Sequence, residues 1–344
     1  MNRWRGVVAA VLTLALLGGC ETPDATPDGV VLLVAGRQLD FVQEIEIGFG
    51  RGVERIGGVQ SVEVGPDVPD SAQELKAFQE YRDGRRGPIS LFTLAPELFA
   101  DSLGQAATAG TPLIALHSMP APGSGVKLFI GNDNTLLGTM LGRAVAERLP
   151  AGAEGLVVLG APTPGVLILN NRVEAARAEL QRLRPGLTVI GPFDTKQDPV
   201  ANLQAWRTLQ AANPDALAFV GVGGADAHNL AVLHPVGSSR VDGGFGSDWV
   251  ALSAAAAGTL VLVSTEPYLQ GWLAGALQAR SLRTGRPLPE GWLVVPGILV
   301  DSGNAAEIIA RQRSTTTRAA WFADQATALL DDPDRYLRPL DEAA

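Results

Sequence analysis

The sequence predicts an α/β protein built from two parallel sheets, each covered by helices. Three observations carry this reading. Short apolar runs are near-continuous rather than alternating, as strands covered on both faces require. The stretches between them repeat apolar residues at helical spacing, and the same alternation restarts after Asn134. Ten or more strands exceed what one core usually holds, so the first sheet is placed before Asn134 and the second after it.

Taken in order, the strand-like runs are VVLLVAG (30–36), ISLFTLA (89–95), PLIALHS (112–118) and LFIGND (128–133). The second set is GLVVLGA (155–161), LTVIGPF (187–193), ALAFVGV (216–222) and TLVLVST (259–265). Phe41, Ile45, Phe49 and Val53 recur every four residues and make one face of a helix after the first run. Leu136, Leu137, Met140, Leu141, Ala144, Val145 and Leu149 give another such face after the fourth, and further faces come from Leu203, Trp206 and Leu209, and from Leu269, Leu273 and Leu277. Ligands of open α/β sheets bind outside the carboxyl ends of the strands. Two facing sheets therefore predict a site in the cleft between them.

The N-terminus reads differently. Arg3 and Arg5 precede an apolar run from Val7 to Leu17, too short for the roughly 20 residues of a membrane-spanning helix. The run ends Leu17-Gly18-Gly19-Cys20, which resembles the lipobox of bacterial lipoprotein signal peptides. Residues 1–19 are read as the signal peptide, Cys20 as the lipidation site, and 20–29 as a flexible tether rich in proline and acidic residues. Cys20 is the sole cysteine, so no disulfide and no paired-cysteine metal site can form within one chain.

Charge narrows the partners. The chain carries a net charge of −9, which becomes −11 without Arg3 and Arg5. With no basic run, it is a poor candidate for nucleic acid or for an anionic membrane surface, apart from the lipid anchor.

The sequence holds no GxSxG elbow, no phosphate loop and no HExxH pattern. No enzyme, cofactor or metal is expected. His228 and His234 read as structural or surface residues, whereas His117 follows a strand at its carboxyl end. GVGGADAH (221–228) is a strand-to-helix turn with Asp226 in the first helical turn; its glycines either only tighten the turn or let backbone amides approach a ligand. In GNDNTLLG (131–138), Asn132, Asp133 or Asn134 either caps the helix or hydrogen-bonds a polyol. Gly138 and Gly142 are read as permitting close helix packing. Arg172, in NNRVEAA (170–176), is either a solvated surface charge or a fork of donors reaching into the cleft.

These segments together resemble the ribose-type sugar-binding proteins of bacterial ABC importers, the type I periplasmic binding protein family. The resemblance is carried by FIGNDNTLLGTMLGRAVAERL (129–149), by GLVVLGAPTPG with NNRVEAARAEL, by GTLVLVSTEPYLQGWLAGALQARSLRTGRPLP (258–289), and by GNAAE (303–307). It implies two doubly wound lobes joined by three hinge crossings, near 132–134, 266–268 and 296–300. The N-terminal lobe would be 30–132 plus 268–297; the C-terminal lobe, 133–267 plus 298–344, would carry a terminal helical extension. It also implies that Phe41 packs on a sugar ring, that Arg172 holds the ligand, and that Asp133 or Asn134 lies on the hinge side. The sequence departs from the family where His117 and Gly246 stand in place of sugar-gripping aspartates, with Asp248 and Trp249 following the latter. Thr265, with Glu266 beside it, replaces a glutamine. Asp226, Trp249 and Glu266 complete the expected ligand set. Fewer carboxylates imply a ligand less hydroxylated, larger or differently charged than a simple pentose or hexose. The implied role is a monomeric, lipid-anchored, extracytoplasmic protein that delivers a small ligand to a membrane permease. The alternative is a ligand-sensing subunit for a signalling receptor.

Overall fold

The computed structural model describes residues 29–84, 87–235 and 237–343. The expected signal peptide, Cys20 and all of the tether but Gly29 lie outside the described residues.

The chain begins β1 (Gly29–Val34), α1 (Asp40–Ile56), β2 (Gln60–Val64), α2 (Ser71–Asp83), β3 (Ile89–Phe92), α3 (Pro96–Thr108), β4 (Leu113–Leu116) and β5 (Leu128–Gly131). It continues α4 (Asn134–Arg148), β6 (Gly155–Ala161), α5 (Leu167–Leu183), β7 (Leu187–Asp194), α6 (Pro199–Ala212), β8 (Ala218–Gly221), α7 (Asp226–Leu233), β9 (Val241–Phe245), α8 (Trp249–Ala256) and β10 (Leu260–Ser264). The last part is α9 (Pro267–Thr284), β11 (Gly291–Val294), β12 (Ile298–Val300), α10 (Ala305–Gln312), α11 (Thr315–Asp331) and β13 (Leu337–Arg338).

Two sheets form, with strand orders β13-β11-β5-β4-β3-β1-β2 and β12-β10-β9-β8-β6-β7. Every pairing is parallel except those of β12 and β13. The central strands are fully buried because helices cover both faces. Val30, Leu32 and Val34 of β1 meet α1 and α9 on one side, and Val31 and Leu33 meet the layer of α2 and α3 on the other. In the second sheet, α4 and α5 cover one face; α6, α7, α8 and α10 cover the other. This is the doubly wound, two-lobed α/β architecture that the alternation of runs implies.

The chain passes between lobes at residues 131–134, 264–267 and 294–298, and then a fourth time after Gln312. The fourth passage corrects the expectation that 298–344 all belong to the C-terminal lobe. α10 puts Ala305 and Ile308 into the second lobe's core, whereas α11 puts Phe322, Ala326, Leu329 and Leu330 into the first lobe's core. β13 then adds an antiparallel edge to the first sheet, pairing Leu337 with Leu293. The physical reason is the apolar face of α11, which seats on α9; the Phe322 ring stacks on Tyr268 at 5.4 Å.

Among the described residues, no helix is long and apolar enough to cross a membrane.

Candidate functional site

The carboxyl ends of the two sheets face each other, and a cavity lies between them. Its volume is about 80 Å³ for the centre of a water molecule, several times the roughly 10–15 Å³ that one water needs. Both lobes supply its wall. Phe41, Phe92 and His117 come from the first, Arg172 and Phe245 from the second, and Thr265 from the second crossing. The lobes are drawn together here, since a Cβ built on Gly224 would lie 2.9 Å from the Phe41 ring.

Three rings make the first lobe's wall. Phe41 stacks on the His117 imidazole at 5.0 Å, and Phe92 meets both edge-on, at 5.5 and 5.3 Å. Such a wall suits an apolar ligand face. His117 has φ +64°, a left-handed backbone that non-glycine residues adopt at a cost of about 1–3 kcal/mol and that clusters at functional sites.

A hydrogen-bond relay determines the imidazole tautomer. The Asn132 amide donates to Thr265 O at 3.0 Å and Val295 O at 2.7 Å, joining three interlobe crossings with one side chain. Its Oδ1 therefore accepts from Gln270 Nε2, which also donates to Thr265 O. Gln270 Oε1 is left as an acceptor, so His117 Nδ1, 3.1 Å away, carries the proton. His117 Nε2 is then an acceptor. Burial, helped by the nearby Arg172 charge, lowers the His117 pKa to about 3, so the ring is neutral at ordinary pH.

Arg172 forms the second lobe's polar centre. It is 4% exposed, its Nε donates to Asn134 Oδ1 at 2.7 Å, and its Nη1 donates to Val222 O at 3.2 Å. Phe245 lies 4.3 Å from its guanidinium carbon, and burial lowers its pKa to about 9. The helix that carries it packs against glycine. A Cβ on Gly138 would fall 2.2 Å from the Arg172 carbonyl, so α4 and α5 approach closely only without a side chain there. The small-residue reading of Gly138 and Gly142 is thus realised in the α4–α5 contact.

Four expected ligand residues stand elsewhere. Asp226 is fully buried away from the cavity wall, accepting from Asn202 Nδ2, Trp206 Nε1 and the Gly223 amide at 2.7 to 2.9 Å. Its carboxylate is consumed in holding the β8–α7 turn, and the Gly223 amide faces it rather than a ligand. Glu266 turns to Arg311 instead of the cavity. Asp133 caps α4, accepting from the Leu136 amide at 2.8 Å. Trp249 is 64% exposed, because its position opens α8 on the outer side of the Asp248 cap.

Asn134 supports Arg172 and does not line the cavity itself. Phe41, His117, Arg172 and Thr265 do meet there. Phe92, Phe245 and Gln270 were not singled out for the cleft from the sequence, and Asn132, weighed there as a helix cap or polyol ligand, instead ties the crossings together. The first two end strands β3 and β9, a position that marks a wall residue once the sheet order is known.

Comparison with known proteins places this geometry. The model of the periplasmic binding protein domain matches residues 30–286. No curated protein sequence matches the chain. Among solved structures, a glucose–galactose-binding protein of Geobacillus stearothermophilus superposes with a TM-score of 0.71 at 19% identity, covering 80% of this chain and 98% of that one. A solute-binding protein of Agrobacterium vitis with bound D-fucose gives 0.72 at 16%, covering 80% and 96%. One from Burkholderia graminis in complex with D-arabinose gives 0.73 at 17%, covering 82% and 97%. These identities establish the fold. The family match extends from β1 to the end of α9, and the chain belongs to the periplasmic binding protein domain family.

Proposed function

We propose that this protein captures a small sugar-like solute between its lobes outside the cytoplasm and delivers it to the permease of an ABC importer. The observation that carries the proposal is the interlobe cavity itself. An aromatic wall from one lobe faces a buried, pre-oriented guanidinium from the other, so neither lobe alone supplies the whole set of contacts. Phe41 and Phe245 would pack on apolar ligand faces, while His117 Nε2 accepts from a hydroxyl and Arg172 donates. Thr265 adds a hydroxyl at the crossing. Opening of the lobes about the Asn132-joined crossings admits the ligand, and closure excludes water. Similar folds solved with D-fucose and D-arabinose support this reading.

The proposed anchor is a diacylglyceryl group on Cys20, with residues 20–29 as a spacer. Labelling with radioactive palmitate should mark the protein, and Cys20→Ser should abolish the label.

The binding role is tested by thermal unfolding of the full-length chain, purified in detergent, against sugars, polyols and nucleosides. A bound compound at 100 times its Kd adds about 2.7 kcal/mol and raises Tm. No rise with any small solute would overturn the proposal.

A further inference from the structure

Arg172 is a buried cation without a counter-ion. Its two bonded acceptors, Asn134 Oδ1 and Val222 O, are both neutral. Its Nη2 is buried and has no hydrogen-bond partner. Buried guanidinium groups are ordinarily paired with carboxylates, because desolvating the charge is otherwise uncompensated. Three carboxylates do line the cavity, and none hydrogen-bonds Arg172. Glu44 pairs with Arg318 at 3.0 Å. Asp248 binds His228 Nδ1 at 3.0 Å and caps α8 through the Val250 and Ala251 amides. Asp40 is exposed at the rim. His117, on the opposite wall, brings no charge.

We infer that the ligand supplies the missing anion: a sugar-sized hydroxycarboxylate whose carboxylate seats on Arg172 Nη2. The inference rests on the ligand-capture reading above and narrows its ligand class from neutral sugars to sugar acids. The remaining polar groups fit such a molecule. His117 Nε2 accepts from a hydroxyl, and Asp40 at the rim accepts from others. Phe245 covers one face of the guanidinium, leaving the fork edge for the carboxylate. A neutral sugar would leave the buried charge uncompensated in the closed form.

Isothermal titration with matched pairs tests this: D-galactose against D-galacturonate, and D-ribose against D-ribonate, with the full-length chain and with Arg172→Gln. The acid of at least one pair should bind about 100-fold more tightly than its neutral parent. Arg172→Gln should erase that preference while keeping or raising the unliganded Tm, since an unpaired buried charge is removed. If Arg172→Gln does not fold, Arg172→Lys should retain a preference for the acid. Neutral parents binding as tightly as their acids in every pair that binds would overturn the inference and leave ligand capture standing. Preference for the acid surviving in Arg172→Gln would likewise overturn it, since another group would then receive the carboxylate. No binding by any compound, here or in the wider thermal panel, would overturn both.

Discussion

Glu266 Oε2 and Arg311 Nη1 form an ion pair at 2.7 Å in which each side chain is only 3% exposed. Glu266 stands at the second interlobe crossing, in a left-handed conformation with φ +53°, and Arg311 stands on α10 just before the fourth. Phe322 lies 5.1 Å from the Arg311 guanidinium carbon, so the pair is sealed by the helix that follows the crossing. Burial raises the Glu266 pKa, and Arg311 opposes that shift.

Removing one partner should therefore be worse than removing both. Arg311→Met leaves a buried, unpaired carboxylate and should destabilise the fold by about 3–5 kcal/mol. Glu266→Gln combined with Arg311→Met should recover most of that loss. Urea unfolding midpoints of the two variants against the parent check it, and equal losses in the single and double variants would contradict the pairing argument.

The Phe322–Tyr268 stack makes α11 part of the first lobe's core. Phe322→Ala should cost about 3–5 kcal/mol, the range for truncating a buried aromatic. A loss below about 1 kcal/mol in thermal or urea unfolding would mean that α11 is a peripheral attachment.

Glu74 gives the fold a titration of its own. Burial raises its pKa to about 8, although Thr93 Oγ1 donates to it at 3.0 Å. The unfolded carboxyl titrates near 4.5, so between about pH 4.5 and pH 8 the folded state holds a proton that the unfolded state has lost. Stability from this group is complete below that window and falls as pH rises through it. Glu74→Gln should remove this slope and exceed the parent by about 2 kcal/mol or more at pH 9. Parallel stability curves for the two proteins from pH 5 to 9 would refute the assignment.

His117 should behave oppositely. Its folded pKa near 3 lies below the ordinary 6.5, so the unfolded state binds the extra proton between those values. Its contribution is complete above about pH 6.5 and is lost as pH falls toward 3. NMR should show one imidazole with no titration above about pH 4. Gln270→Leu should remove the Nδ1 acceptor and weaken ligand binding by about tenfold, with little change in overall fold.

The paired lobes were legible because parallel strands buried on both faces must be apolar almost throughout, as β1, β4 and β8 are. β9 was not. Its sequence VDGGF offers no apolar run, yet Gly243 and Gly244 are central-strand positions where α4 and α7 leave room only for hydrogen. β2 escaped as a half-exposed edge with Glu63 on it. Local pattern reports burial and periodicity; it does not report how closely two backbones approach.

The same division runs through the cleft. From the sequence alone came the two-lobed class, the cleft as the place for a ligand, and Phe41, His117 and Arg172 as residues to watch. Tertiary structure decided which polar groups are spent on the fold. Asp226 and Glu266 are carboxylates of the right kind near the right strands, but Asp226 accepts from Trp206, 20 residues away, and Glu266 pairs with Arg311, 45 residues away. Only assembly brings Trp206 to Asp226, Arg311 to Glu266 and Gln270 to His117. Sequence shows which groups need a partner, whereas which partner each obtains depends on long-range contacts that no local spacing encodes.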